Sequence, residues 1–588
     1  MHTTPRFLAS LALLALSSTA AAGTLFVDAN LATGGNDGSS WADAYQGQDG
    51  LQAALAASVS GDEIFVAEGT YRPTASGNRI VAFVLKNGVE IYGSFAGGES
   101  SPAERPEFGM APSILSADLN GNDGSNIIND NSFHVVRASS VIATAVLDGF
   151  EIRGGNGNGG TNSDRGGGII CQNNARPTIR NCFFIGNRCT FGGGAGYING
   201  SAPSFTDCEF IDNIGGSFGG AFDIATSGPV RFDRCTFVNN QASRAGALEI
   251  FASNGVVVAN SVFRNNTATG GSGGGGIWIG SGGSTQVRNC TVVGNNATSQ
   301  TAGGLRNQGS SVSLSNSIFW DNRGPGGAHG SANQVLGASA SFSIIEGGFG
   351  GAGNSGLDPQ FVDQAGGDLS LLGTSPAIDA GHNSFAVAGL NADHAGNPRF
   401  LDEPAIADTG FGPGPVIDRG AFEYADPKFT TFCFGDGTGT ACPCSNDSSQ
   451  DHGGGCAHAN GDGAILAASG NPSIANNTLQ FGLSSGRPNS FTVLVSGDDR
   501  LPTMGSIGNG VASFDGLDCV TGTTRRHGSR LIAADGFGSG WTPGTIGNFN
   551  SFTAGQTRHF FALYRTGSTE SCATGLNSSN GVSVAFVN

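Results

Sequence analysis

Asp223 and Glu249 occupy matching positions in two related stretches, GGAFDI (219–224) and AGALEI (245–250). Two carboxylates held side by side repel each other, which raises the pKa of one, and a pair tuned in this way can act as general acid and base. On a glycosidic bond, carboxyls about 5 Å apart give retention and about 6.5–9.5 Å give inversion. Four related stretches place Ile170, Tyr197, Trp278 and Arg306 at the same position. Aromatic faces stack on sugar rings, and acids accept hydrogens from sugar hydroxyls. The column Tyr197, Asp223, Glu249, Trp278 and Arg306 therefore reads as a sugar-binding stripe. Asp223 and Glu249 are its catalytic pair if the protein is an enzyme. The plainer reading of the same column is a solvated strand face.

Three other groups of residues invite chemistry. DLNGNDG (118–124) sets the oxygens of Asp118, Asn120, Asn122 and Asp123 at spacings that suit calcium, but its Gly falls one place late and no Glu follows at the twelfth position. Asx-rich turns produce the same pattern by default, and HANGDG (458–463) reads as a plain hairpin turn. Cys433, Cys442, Cys444 and Cys456 are followed by Cys519 and Cys572. The CxC spacing is a poor zinc pattern, so disulfides are expected, with Cys519 joined to Cys572. A further set, Cys182, Cys208, Cys235 and Cys290, alternates with Ser261 and Ser317. A position that takes either residue asks for a small side chain, not for a nucleophile.

These positions recur because the chain repeats. NCFFIGN (181–187), DCEFIDN (207–213), RCTFVNN (234–240), NSVFRNN (260–266), NCTVVGN (289–295) and NSIFWDN (316–322) end at Asn187, 213, 240, 266, 295 and 322. The period is about 27 residues. A Gly-rich motif runs in phase with them, and a third apolar position, Ile179 through Leu314, precedes each Cys or Ser by three residues. Each repeat thus holds three short segments with period-two alternation, which predicts strands. Three strands in about 27 residues predict a right-handed parallel β-helix whose coils stack about 4.8 Å apart. The Cys/Ser column, the Phe184–Phe319 column and the Ile169–Leu305 column should point inward, with Asn at the corners. LQAALAA (51–57) is short and amphipathic and should lid the open N-terminal end.

Composition agrees. The chain has 588 residues, 99 of them Gly, with only 13% charged, which suits short strands and many tight turns. A formal net charge of −18 argues against nucleic-acid binding and against anionic membrane surfaces. Arg6, an apolar run from Phe7 to Leu16 and Ala20-Ala21-Ala22 read as a signal peptide over 1–22, so a secreted or cell-surface location is expected. No segment is long and apolar enough for a membrane span.

The paired GGA and FxxN motifs over 148–322 resemble the repeats of chlamydial polymorphic outer-membrane proteins, and more broadly secreted β-helices of the pectin-lyase-like superfamily. LFVDAN (25–30), SSWADAY (39–45) and GDEIFVAEGTY (61–71) resemble the start of such a helix. LDPQFVD (357–363), SPAIDAG (375–381), NPRF (397–400) and DRGAFEY (418–424) resemble the closing turns of surface β-helices labelled choice-of-anchor domains. The Cys-containing end resembles C-terminal modules of planctomycete-type secreted proteins. Too few residues remain after the repeats for the membrane barrel of a chlamydial relative, and they lack a sustained run of barrel strands. Superfamily lyases use calcium with an Arg or Lys base. The repeats here hold no Lys, and no acidic cage accompanies Arg306. The adjacent Asp pairs of pectin hydrolases are also missing from the repeats.

The expected organisation is a signal peptide (1–22), a β-helix (23–428) and a Cys-containing C-terminal β-sandwich (429–588). Within the β-helix, 23–75 form the cap and first turns, 148–322 the regular repeats and 357–424 the closing turns. The expected function is binding or adhesion, with an extracellular polysaccharide or cell-surface component as partner. No cofactor is required, although calcium fits one loop. A polysaccharide hydrolase or lyase, and a structural surface-layer component, are the alternatives.

Overall fold

The computed structural model describes residues 23–586 except 107–108, 162, 272, 300–301, 402, 404–405, 414, 426–428 and several short stretches after 437, the longest being 543–551 and 567–574. The expected signal peptide and Cys572 lie outside the described residues.

The chain winds into a parallel β-helix. A ten-stranded sheet follows ten coils, from Gly69–Tyr71 to Ile344–Ile345, and a 19-stranded sheet carries the other two strands of each coil. Successive coils pair in the predicted register: Phe184, Phe210, Phe237, Phe263, Val292 and Phe319 align in turn. Their rings stack, at 4.8 Å between Phe210 and Phe237 and 4.4 Å between Phe237 and Phe263. The Cys/Ser column lies beside them, fully buried. Gly196 takes its place in the third inward column because a Cβ there would lie 2.2 Å from the Phe222 ring. Its missing side chain is the space that Phe222 fills.

Some coils add a short strand to the three. A fourth, two-residue strand recurs at Asn156–Gly157, Arg188–Cys189, Gln241–Ala242, Thr267–Ala268 and Asn296–Ala297. In two coils the first two strands run together as Leu248–Ala259 and Ile277–Arg288. Positive φ at Ala252, Gly255, Ser281, Gly282 and Gly283 turns this corner, and the register shifts there.

The Asn columns divide two tasks. Asn181, Asp207, Arg234, Asn260, Asn289 and Asn316 all adopt the left-handed conformation and turn the chain, which Asn and Asp do at low cost. Asn187, 213, 240, 266, 295 and 322 do not; they point inward as a fully buried amide ladder. From Asn213 onward each Oδ1 accepts the backbone N–H of the Asn one coil earlier, as from Asn213 to Asn240 at 3.0 Å, while Asn187 Oδ1 accepts Gly155 N at 3.0 Å. The ladder ends on Gln334, whose Oε1 accepts from Asn322 N and Nδ2 at 3.1 and 2.7 Å.

Helix Gly50–Ala57 lids the N-terminal end, burying Leu51, Ala54 and Leu55 in the common core. Lys86 Nζ donates to Leu55 O at 2.9 Å, placing a cation on the helix C-terminus. The expected closing turns do not continue the coil. The described residues of 357–424 fold back along the outside of the ten-stranded sheet, where Phe361, Leu369, Leu371, Ala377, Ile378 and Ala421 cover Val262, Val293, Ile318 and Ile344. The outward positions of the late repeats turn apolar at those residues, so this face must be covered. Arg399 and Glu423 pair at 3.2 Å inside the strap. His394 joins it to the helix, with Nε2 3.0 Å from Thr236 Oγ1 and Nδ1 3.0 Å from Asn260 O. Desolvation lowers the His394 pKa to about 4, so the ring is neutral at pH 7.

The C-terminal module packs a five-stranded antiparallel sheet against a three-stranded one around Trp541, Tyr564, Phe560 and Leu494. Cys433 bonds Cys519 and Cys442 bonds Cys456. The expected Cys519–Cys572 pair is thereby overturned: strand pairing brings Cys519 to Cys433, 86 residues away. Cys444 is also disulfide-bonded.

Candidate functional site

The outward column exists in the predicted register. Ile170 pairs with Tyr197, Tyr197 with Asp223, Asp223 with Glu249, Glu249 with Trp278 and Trp278 with Arg306. Its exposure is not as predicted. Asp223 is 3% exposed, Glu249 1%, Trp278 3% and Tyr197 6%; Ile170 is buried too, and Arg306 is half-buried. A sugar cannot stack on rings that are already covered.

The cover comes from the chain segments that enter each strand. Arg165 spans Phe191 and Tyr197, its guanidinium 4.1 and 4.7 Å from the ring centres, and reaches Asp223 Oδ2 at 3.2 Å. Arg244 does the same one layer on, 4.3 Å from Phe218 and 4.2 Å from Trp278, and bonds Glu249. Phe191 and Phe218 meet edge to face at 4.8 Å. Gly192 lets the segment close, since a Cβ there would lie 2.3 Å from Asp223 Oδ2. The result is a second small core outside the sheet, made of aromatics, two acids and two guanidinium ions. Arg165, Phe191, Phe218 and Arg244 each directly precede the Gly or Ala step of their repeat. That signal was present in the sequence and was missed, because the alternation rule assigns a face and not what lies over it.

Burial first, and then the neighbouring Glu249, raises the Asp223 pKa to about 7. Desolvation also raises the pKa of Glu249, against the pull of Arg244. Glu249 Oε2 and Trp278 Nε1 are buried without hydrogen-bond partners. The pair has the electrostatics of an acid–base couple, but no substrate reaches it unless Arg165 and Arg244 move.

The predicted calcium ligands are differently employed. Asp118 accepts the backbone N–H groups of Gly121, Asn122 and Asp123 at 2.7, 3.1 and 3.1 Å. Asn120 and Asn122 turn their amide nitrogens to Asp130 Oδ2 at 2.5 and 3.0 Å. Among the described residues, no three His, Cys, Asp or Glu side chains group as they would around a metal ion.

Open space lies at the corner between the first and second strands. Two adjoining cavities of about 340 and 280 Å³ share Asn174 and Gly200 and extend from Gln172 and Asn173 past Asn199 to Pro229. They cross three coils, or about 10 Å along the axis. Asn173, Asn174, Arg176, Asn199 and Thr226 are exposed along this stretch. Thr226 Oγ1 donates to Asn199 Oδ1 at 2.9 Å, and Asn173 Nδ2 to Ser139 Oγ at 2.9 Å, so the polar groups are ordered coil to coil. The left-handed φ of +58° and +59° at Asn173 and Asn174 turns both amides outward at this corner.

The fold is that of a right-handed β-helix protein, and residues 116–292 match the family model described as the right-handed β-helix region. Among solved structures, the chain is similar to pectate lyase Pel9A, at 14% identity and a TM-score of 0.34 over 68% of this chain and 96% of that one. It is also similar to the enzymatically active domain of tailspike protein 2 of bacteriophage CBA120, at 12% identity and a TM-score of 0.22 over 91% and 73%. No curated protein sequence matches the chain.

Proposed function

We propose that this is an exported β-helix protein that binds polysaccharide along the polar corner trough and does not cleave it. One observation carries the proposal: two joined open cavities cross three coils and are lined by outward amides and the guanidinium of Arg176. Amides and guanidinium groups supply the donors and acceptors that sugar hydroxyls require, and a trough along the coil axis suits a linear chain. The covered acid pair supports binding over hydrolysis, since Arg165 and Arg244 occupy the approach to Asp223 and Glu249.

A glycan array with the full chain tests this, together with assays for reducing ends and unsaturated products. The expected result is binding that falls at least tenfold in Asn199→Ala and Arg176→Gln, without product release. Product release that disappears in Asp223→Ala or Glu249→Ala would instead establish the hydrolytic reading. No binding to any glycan and no product would refute both and leave a structural surface component.

A further inference from the structure

We infer that the loop 118–132 holds a hard divalent cation, calcium by its donor chemistry, through Asn122, Asp123, Asp130 and Asn131. The inference is independent of the polysaccharide reading. Among the described residues, five buried side-chain oxygens without a hydrogen-bond partner, Asn122 Oδ1, Asp123 Oδ1, Asp130 Oδ1, Asn131 Oδ1 and Ser132 Oγ, fall within eleven successive residues. Four of them are carbonyl or carboxylate oxygens, which can only accept. The donors on the same side chains are already used: Asn122 Nδ2 bonds Asp130 Oδ2 at 3.0 Å, and Asn131 Nδ2 bonds Asp123 Oδ2 at 3.0 Å and Gly154 O at 2.7 Å. What those oxygens lack is hydrogen-bond donors.

Asn131 points most directly to a ligand. It is 1% exposed, its nitrogen is anchored on Asp123, and its oxygen meets nothing. A buried amide oxygen left bare costs about 1–3 kcal/mol, which an ion would recover. The nearby positive charges are Arg79, Arg188 and Arg72, whose guanidinium lies beside Gly121. Arg79 donates to the backbone oxygen of Asn131 at 2.5 Å, and Arg188 acts on Asp123 only through space. Three carboxylates, Asp118, Asp123 and Asp130, lie in this loop. Two carboxylates supplemented by amide oxygens and water form a calcium donor set and a poor zinc set, since zinc prefers sulfur and imidazole. Magnesium demands a tighter octahedron than a mixed loop supplies. Relative to the sequence pattern the donors move: Asp118 and Asn120 leave the set, and Asp130 and Asn131 enter it.

The test uses the full chain after dialysis against EDTA. Calcium binding is measured by calorimetry, and terbium serves as a luminescent probe. One site is expected, with an affinity of ~10⁻⁴–10⁻³ M as in extracellular calcium modules. Asp123→Asn and Asp130→Asn should each weaken it at least tenfold, with far-UV dichroism unchanged. Asn122→Asp adds a charge to the cluster and should tighten it several-fold, a gain that misfolding cannot imitate. No heat or luminescence at ~10 mM ion, or affinity unchanged in Asp123→Asn and Asp130→Asn, overturns the inference.

Discussion

Asn240 sits in the middle of the buried amide ladder, and its replacement by Ala tests whether the ladder stabilises the helix. Its Oδ1 accepts Asn213 N and Asn213 Nδ2, both at 3.0 Å, and its Nδ2 donates to Phe210 O at 2.8 Å and Asn266 Oδ1 at 2.9 Å. Asn213 Nδ2 keeps a second acceptor in Phe184 O, and Asn266 Oδ1 still receives Asn240 N. Two groups are left bare in the variant, the Asn213 N–H and one lone pair of Phe210 O. Each unsatisfied buried group costs about 1–3 kcal/mol, so about 2–6 kcal/mol is expected. Trp278 and Trp320 lie on the following coils and report local melting by fluorescence during urea unfolding. Exposed Asn199→Ala is the control and should stay within about 0.5 kcal/mol. Coils of a solenoid couple mainly to their neighbours, so hydrogen exchange should rise in coils 205–270 before the N-terminal coils. A loss below about 1 kcal/mol in Asn240→Ala would refute the ladder as a source of stability, since one bare amide alone costs that much.

Two further outcomes follow from the two cores. The folded-state pKa of Asp223 lies at about 7, above its ordinary 3.8, so its protonation favours the folded state most at low pH. That contribution is lost as pH rises from about 4 through 7; Asp223→Asn should flatten the pH dependence of urea midpoints in this window, and an unchanged slope would contradict the burial of this carboxyl. In the C-terminal module, the Cys433–Cys519 bridge closes 86 residues and Cys442–Cys456 closes 14, which by loop-closure entropy contribute about 4.6 and about 3 kcal/mol. Reduction should therefore lower the melting of the module while the β-helix transition, read from Trp278, stays in place.

Much of the fold was legible in the sequence because a stacked coil makes residue spacing and spatial contact the same thing. The period of about 27 residues placed Phe210 under Phe237, and the exchange of Cys for Ser at 261 and 317 showed a small buried position. The candidate site was less legible. The column from Tyr197 to Arg306 was identified in register and on the correct face, yet its solvent exposure was not, because Arg165, Phe191, Phe218 and Arg244 reach it from the segment before the strand. The trough at Asn174 and Arg176 has no aromatic or acidic marker and passes for an ordinary turn.

The sequence by itself determined the coil, its period, its inward columns, the lid helix and an acidic, Gly-rich composition suited to tight turns. These are local or periodic properties, and repetition amplifies each of them. Only the tertiary structure decided three things: that 357–424 fold back as a strap, that Cys519 meets Cys433, and that the acid pair lies under two guanidinium ions. Each depends on contacts between segments whose separation follows no repeat, where chain entropy, shape and desolvation choose the partner and no period announces it.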